Sequence, residues 1–159
     1  MSLANDILKL AKERGLMVAS AESCTGGLIA AALTDIAGSS AVFERGFVTY
    51  TNDAKQDMLG VKASTLEAHG AVSEDVAREM AMGALQRSNA QIAVSVTGIA
   101  GPGGSEFKPE GRVCFGIAHK GDVRTQTVEF GALGRKSVRE AARDHGLQLI
   151  LTALQNLPD

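Results

Sequence analysis

The stretch Leu16-Met17-Val18-Ala19-Ser20-Ala21-Glu22-Ser23-Cys24-Thr25-Gly26-Gly27-Leu28 decides the fold class. Its first part, Leu16 to Ser20, is a short apolar run of strand length. Its end opens a second segment, Thr25 to Ala37, in which Leu28, Ile29, Ala31, Ala32, Leu33 and Ile36 are apolar on almost every helical face. A helix of that kind is covered on both sides, by a sheet and by a further surface such as a second subunit. The strand-to-helix junction between them carries an acid, a serine, a cysteine, a threonine and two glycines. A plain connection needs only a cap and one glycine.

Working outward, Leu3, Ile7, Leu10 and Ala11 recur at helical spacing and stop before Gly15, a C-terminal cap. Phe43 to Thr51 is β-rich, and Asn52 to Leu59 reads as a short helix. Ser64-Thr65-Leu66-Glu67 has the form of a capping box, in a helix that ends at Gly70. Ser73, followed by Glu74 and Asp75, caps a longer helix to about Asn89. Ile92 to Val96 is a second buried strand. Arg112 to His119 and Val123 to Phe130 form a hairpin around Lys120-Gly121-Asp122, and Arg135 to Asn156 is the last helix. Alternating helices and strands followed by one antiparallel pair predict an α/β protein, a three-layer α/β/α sandwich with a mixed, mostly parallel sheet.

Composition narrows the function classes. At 159 residues the chain is expected to form one domain, 1–159, burying roughly 70% of the surface its unfolded form exposes. The 45% hydrophobic and 21% charged content is that of an ordinary soluble protein. A net charge of −2 with scattered basic residues gives no nucleic-acid footprint, and no apolar run approaches membrane-spanning length. Without a basic and then apolar leader, and with two cysteines that lack C-x-x-C spacing, a reducing cytoplasmic setting is expected, without a metal site.

Three loops at strand ends are candidates for chemistry, because ligands in such folds collect beside the carboxyl ends of strands. In Glu22 to Gly27, Ser23 or Thr25 either simply caps a helix or stands at a nucleophile or anion site. There Gly26 and Gly27 would admit a ligand close to the backbone. In Thr49 to Lys55, a lysine in the first turn of a helix opposes the dipole. It either pairs with Asp53 on a solvated face or is a base whose pKa is lowered by burial and the helix end, with Tyr50 nearby. The third loop, Thr97-Gly98-Ile99-Ala100-Gly101-Pro102-Gly103-Gly104, is either a flexible connection or an anion-binding concavity. Cys24 reads as a packed thiol before a nucleophile, and His69, His119 and His145 as structural or surface residues. Arg135 and Arg139 open the last helix, on the surface or holding a phosphate.

Three strings go beyond generic pattern: A-E-S-C-T-G-G from Ala21, G-x-V-T-Y-T-N-x-x-K from Gly46, and V-T-G-I-A-G-P-G-G from Val96. With His69-Gly70-Ala71-Val72-Ser73 and Lys108-Pro109-x-Gly111 in the same order, the chain resembles the CinA C-terminal domain family from about Ile7 to Leu154. Stand-alone members of that family include nicotinamide-nucleotide amidohydrolases. The resemblance implies an α/β/α fold, and hydrolysis of the carboxamide of nicotinamide mononucleotide to nicotinate mononucleotide and ammonia in pyridine nucleotide salvage. It also implies a homodimer, with no metal or organic cofactor. Carried over, Ser23 is the nucleophile, Lys55 the general base, and Tyr50 and Thr97 the polar groups around them. The substrate-binding candidates are Thr25, Gly26, Gly27, Gly98, Gly101, Gly103, Arg135 and Arg139. The oxyanion would be held by amides at the helix start or in the Gly98 to Gly104 loop.

One departure stands out: family members commonly carry Gly-Asp-Arg before the final helix, where this chain has Gly131-Ala132-Leu133-Gly134-Arg135. That leaves two arginines, Arg135 and Arg139, for the phosphate. The extra N-terminal domain of longer CinA proteins is not expected here. Two readings from other classes remain: a non-catalytic nucleotide- or phosphate-binding module, and an interaction protein linked to competence or damage.

Overall fold

The computed structural model describes residues 2–105 and 107–158. The chain begins with α1 (Leu3–Arg14), whose first turn is capped by the Ser2 hydroxyl and whose end turns through Gly15 at φ +66°. There follow β1 (Val18–Glu22), α2 (Leu28–Thr34), a 3-10 turn (Ser39–Ala41), β2 (Phe43–Val48) and three consecutive helices, α3 (Asn52–Leu59), α4 (Ala63–His69) and α5 (Glu74–Gln86). Then come β3 (Ile92–Gly98), the hairpin β4 (Arg112–His119) and β5 (Asp122–Glu129), and the long α6 (Arg135–Asn156).

The five strands form one sheet in the order β2-β1-β3-β4-β5. The β1–β2 and β1–β3 pairs are parallel, while β3–β4 and β4–β5 are antiparallel, so β4 alone runs against the other four. Both β1 and β3 are buried on both faces, which is why each reads as a run of small and branched residues without alternation. α1, α2 and α6 cover one face, where Ile7, Leu33, Val94, Val96 and Ile150 share a core. The helices α3 to α5 cover the other, around Leu59, Val76, Met80 and Ala81. The three-layer α/β/α arrangement is as expected from the sequence.

Several boundaries differ. The helix expected over Thr25 to Ala37 is only Leu28–Thr34, because Gly26 and Gly27 take positive φ (+58° and +105°) and hold the preceding residues in a turn. α2 buries only Ile29 and Leu33 fully. β1 lies two residues further along than Leu16 to Ser20, and β2 stops at Val48 rather than Thr51. The capping box at Ser64 does not form. Instead α4 starts at Ala63 without a side-chain cap, and Glu79 of α5 accepts hydrogen bonds from the Lys62 N–H (2.8 Å) and the Thr65 hydroxyl (2.6 Å). Ser73 does cap α5, which ends at Gln86 rather than Asn89. At Gly83 of α5 a side chain would collide with the Leu59 carbonyl group, so α5 lies directly against the end of α3.

Candidate active site

The chain leaves β1 through α2 on one face to reach β2, and returns through α3 to α5 on the other face to reach β3. β1 therefore has β2 on one side and β3 on the other, and the carboxyl ends of these strands frame a crevice where the connections diverge. The Ser23 N–H donates to Val96 O (2.9 Å) on one side, while the Thr49 N–H donates to Glu22 O (2.9 Å) on the other. The end of β1 is thus pinned between both neighbours, and Ser23, the first residue after it, is held by β3.

Lys55 of α3 reaches that serine. Lys55 Nζ lies 3.1 Å from Ser23 Oγ and donates to Thr49 O, also at 3.1 Å. The Thr51 hydroxyl caps α3, accepting from the Ala54 N–H at 3.1 Å. Lys55 is only 2% exposed and Ser23 8%. A surface pairing of Lys55 with Asp53 is therefore ruled out: the amine is inside, against a hydroxyl. A serine hydroxyl needs a neighbouring base to attack an acyl carbon, and this pair has hydrogen-bond reach for it.

The reason for an acid before the serine lies in the next turn. Glu22 is completely buried, and its carboxylate accepts four hydrogen bonds. Oε1 takes the Thr25 hydroxyl (2.7 Å) and the Ile29 N–H (2.9 Å), while Oε2 takes the Ser20 hydroxyl (3.1 Å) and the Ala30 N–H (3.0 Å). It caps α2 with a charge of the sign the helix start favours. The Leu28, Ile29 and Ala30 amides of α2 are consequently spent within the protein, which removes these three as donors to a substrate anion. Sequence reading missed this role for Glu22, although an acid just ahead of a helix was the signal for it. Thr25 is buried on Glu22, and Arg139 donates to Cys24 O (3.0 Å) and Thr25 O (3.2 Å). Thr25, Gly26, Gly27 and Arg139 do not line the cleft; they shape the turn beneath Ser23. Burial pushes the Cys24 thiol up to about 12, so it stays protonated and packs as a small apolar group.

The cleft itself has a volume of about 350 Å³ and brings together Ser23, Lys55, Tyr50, Thr97 and Arg135 with the glycine loop after β3. Gly98, Gly101 and Gly103 all line it, as do Asn52 and Ala71, which were not anticipated. The amides of Ala100 and Gly101 make no hydrogen bond within the protein among the described residues, and both residues line the cleft. Thr97 is buried and its hydroxyl donates to Ala71 O (2.9 Å), which leaves its oxygen only as an acceptor. Tyr50 is 56% exposed, with Oη accepting from Arg135 Nη2 at 2.6 Å, while Arg135 Nη1 donates to Gly101 O at 2.7 Å. Of the two arginines, it is Arg135 that faces the cleft.

The histidines lie elsewhere. His69 is paired with Asp75 (3.2 Å) on the surface, and His145 packs on Phe115 (ring centres 4.6 Å apart), where burial lowers its pKa. His119 borders a second groove, of about 400 Å³, between β4–β5 and the end of α6. That groove is somewhat larger but floored by Phe115, Ile117 and Leu149, and it holds no nucleophile beside a base.

Comparison with known proteins places these features in a family. The sequence pattern of the CinA C-terminal domain matches residues 1–154. The nicotinamide-nucleotide amidohydrolase PncC of Enterobacter agglomerans is 58% identical over 142 residues, covering 88% of this chain and 86% of that protein. A CinA-like protein of Chloroherpeton thalassium is 60% identical over 119 residues, covering 74% of this chain but only 28% of that longer protein. The crystal structure of the competence/damage inducible protein CihA from Agrobacterium tumefaciens superposes with a TM-score of 0.92 at 54% identity, covering 97% of this chain and 94% of that one.

Proposed function

This chain belongs to the CinA C-terminal domain family, and on that premise we propose that it hydrolyses the carboxamide of nicotinamide mononucleotide to nicotinate mononucleotide and ammonia. The observation that carries the chemistry is the buried Lys55 Nζ, 3.1 Å from Ser23 Oγ at the mouth of β1. The relative named as an amidohydrolase matches over most of both chains, which supports the substrate.

In the proposed cycle Lys55 acts as the base, taking the Ser23 proton as Oγ forms a bond to the carboxamide carbon. The tetrahedral oxyanion is received by backbone N–H groups of the Ala100–Gly101 segment, since those at the start of α2 are occupied by Glu22. Lys55 then returns the proton to the leaving nitrogen, the C–N bond breaks, and ammonia departs from a nicotinoyl ester on Ser23. Water attacks that ester, Lys55 again accepts the proton and passes it to Ser23 Oγ, and the carboxylic acid is released and ionises. The proton that leaves with ammonia is replaced by one from water, so Ser23 and Lys55 end the cycle as they began it. Arg135, whose partners Tyr50 Oη and Gly101 O are neutral, supplies the charge for the substrate phosphate. Tyr50 orients that guanidinium, and the glycines at 98, 101 and 103 let the nucleotide approach the backbone.

The enzyme serves pyridine nucleotide salvage in the cytoplasm, in keeping with its two free, buried thiols. It acts as one domain and pairs as a homodimer. No helix is long and apolar enough to cross a membrane among the described residues.

The test is ammonia release from purified protein with nicotinamide mononucleotide, beside Ser23→Ala and Lys55→Met. Each substitution is expected to lower kcat by about a thousandfold or more. A Ser23→Ala protein with the full rate would overturn the nucleophile, and an undiminished Lys55→Met protein the base. Nucleotide binding without ammonia release would instead mark a binding module.

A further inference from the structure

Two opposite charges flank Gly101, Arg135 lining the cleft and Glu110 packed against Gly101 without lining it. On one side Arg135 is bonded to Gly101 O and Tyr50 Oη, and no carboxylate among the described residues lies within ion-pair distance of its guanidinium. On the other side stands Glu110, just after the glycine loop has turned back towards β4. Its carboxylate accepts from the Gly103 N–H at 2.7 Å and from the Gly134 N–H at 3.3 Å. Gly101 has φ +94°, and a side chain there would run into the Glu110 carboxyl group. The acid is therefore packed against the same residue whose carbonyl the arginine holds. One of its donors is a wall of the cleft, and the other is the amide immediately before Arg135.

Backbone amides of a glycine loop beside an arginine are the donors that an organic phosphate monoester ordinarily takes. Here the Glu110 carboxylate already uses one amide of that loop, Gly103, and the amide of Gly134 beside Arg135, and its charge opposes any second anion placed near Arg135. We propose that Glu110 is a specificity-determining residue, which weakens the hold of the Arg135 side of the cleft on a phosphate monoester while leaving the sugar and ring contacts unaffected. Arg135 then carries most of the phosphate attraction alone, and the phosphate end is held loosely enough for product to leave. The proposal rests on the reading of Arg135 as the phosphate's partner. It predicts a sign opposite to that of a mere loop staple: removing the charge improves phosphate binding.

The experiment is calorimetric binding of ribose 5-phosphate, with ribose as the phosphate-free comparison, to the wild-type protein, Glu110→Gln and Glu110→Asp. Glu110→Gln keeps an acceptor for the Gly103 N–H and loses the charge. It is expected to bind ribose 5-phosphate about fivefold more tightly at low ionic strength, with the gain shrinking in ~0.5 M salt and ribose binding unchanged. Glu110→Asp keeps the charge and should stay within about twofold of wild type by the same electrostatic reasoning. Equal or weaker binding by Glu110→Gln overturns the proposal. So does tightening by Glu110→Asp as well, a gain indifferent to salt, or no ribose 5-phosphate binding by any of the three proteins. Because this binding needs no turnover, failure of the amidohydrolase reading would appear separately, as wild-type protein that releases no ammonia from nicotinamide mononucleotide.

Discussion

Two glycine-bearing segments meet at the cleft, Ser23 to Gly27 after β1 and Ile99 to Gly104 after β3, and they have opposite characters. Both follow a fully buried strand, and both contain glycines at positive φ. In the first, most donors are consumed internally: Ser23 N–H on Val96 O, Gly26 N–H on Ser23 O, Leu28 N–H on Thr25 O, and the next two amides on the Glu22 carboxylate. In the second, Pro102, Gly103 and Gly104 are exposed and the Ala100 and Gly101 amides are unspent within the described protein. Glycine content does not make an anion site; unspent donors facing a cavity do. The first segment fixes a side chain, and the second offers backbone to a ligand.

The contrast predicts that damage to the first segment is read in stability and damage to the second in activity. The largest effect is expected for Glu22→Ala, which leaves two buried hydroxyls and two helix amides without their acceptor. Its cost should be about 3 kcal/mol or more in urea unfolding, because each buried donor loses its partner with no water to replace it. A loss below about 1 kcal/mol would mean that the turn does not depend on the carboxylate.

A smaller and differently placed effect is expected for Gly104→Ala, whose added carbon would overlap the Lys108 carbonyl oxygen. The exposed loop must shift, so the amidase rate should drop by about tenfold while the unfolding free energy changes by less than about 1 kcal/mol. Equal losses in stability and rate would erase the distinction between the two segments.

The smallest effect concerns Cys24, which lies in the locked segment. Burial raises its thiol from the ordinary 9.0 to about 12, so the folded state keeps a proton that the unfolded chain releases. This contribution to stability is complete below pH 9 and is lost as the pH rises from 9 to about 12. Iodoacetamide at pH 8 should therefore leave Cys24 unmodified in folded protein, as read by mass spectrometry. Rapid alkylation without unfolding would show that the segment opens.

Much of the fold was legible in the sequence. The bounds of α3, β4 and α6 fell where expected, because apolar spacing and the Lys120-Gly121-Asp122 turn are local signals. The errors arose where a distant residue outbid a local one. Glu79, 15 residues beyond Ser64, took the hydroxyl and amide at the start of α4. In the site, Ser23, Tyr50, Lys55 and Thr97 could be singled out by type and position, but their convergence on one cleft could not. Arg135 and Arg139 look equivalent along the chain; one turn of helix between them directs the first to the cleft and the second to the carbonyls of Cys24 and Thr25.

By itself, then, the sequence determined the kinds of element, the three layers and the residue types available for chemistry, since these depend on periodicity, caps and turn residues within a few positions of one another. Tertiary structure alone decided which charges are spent on the protein and which face the cleft. Glu22 caps α2, Glu110 takes the amides of Gly103 and Gly134, and Lys55 is buried against Ser23 from 32 residues away. Hydrogen bonds and burial act over a few ångströms of space, and only folding sets which residues are separated by so little.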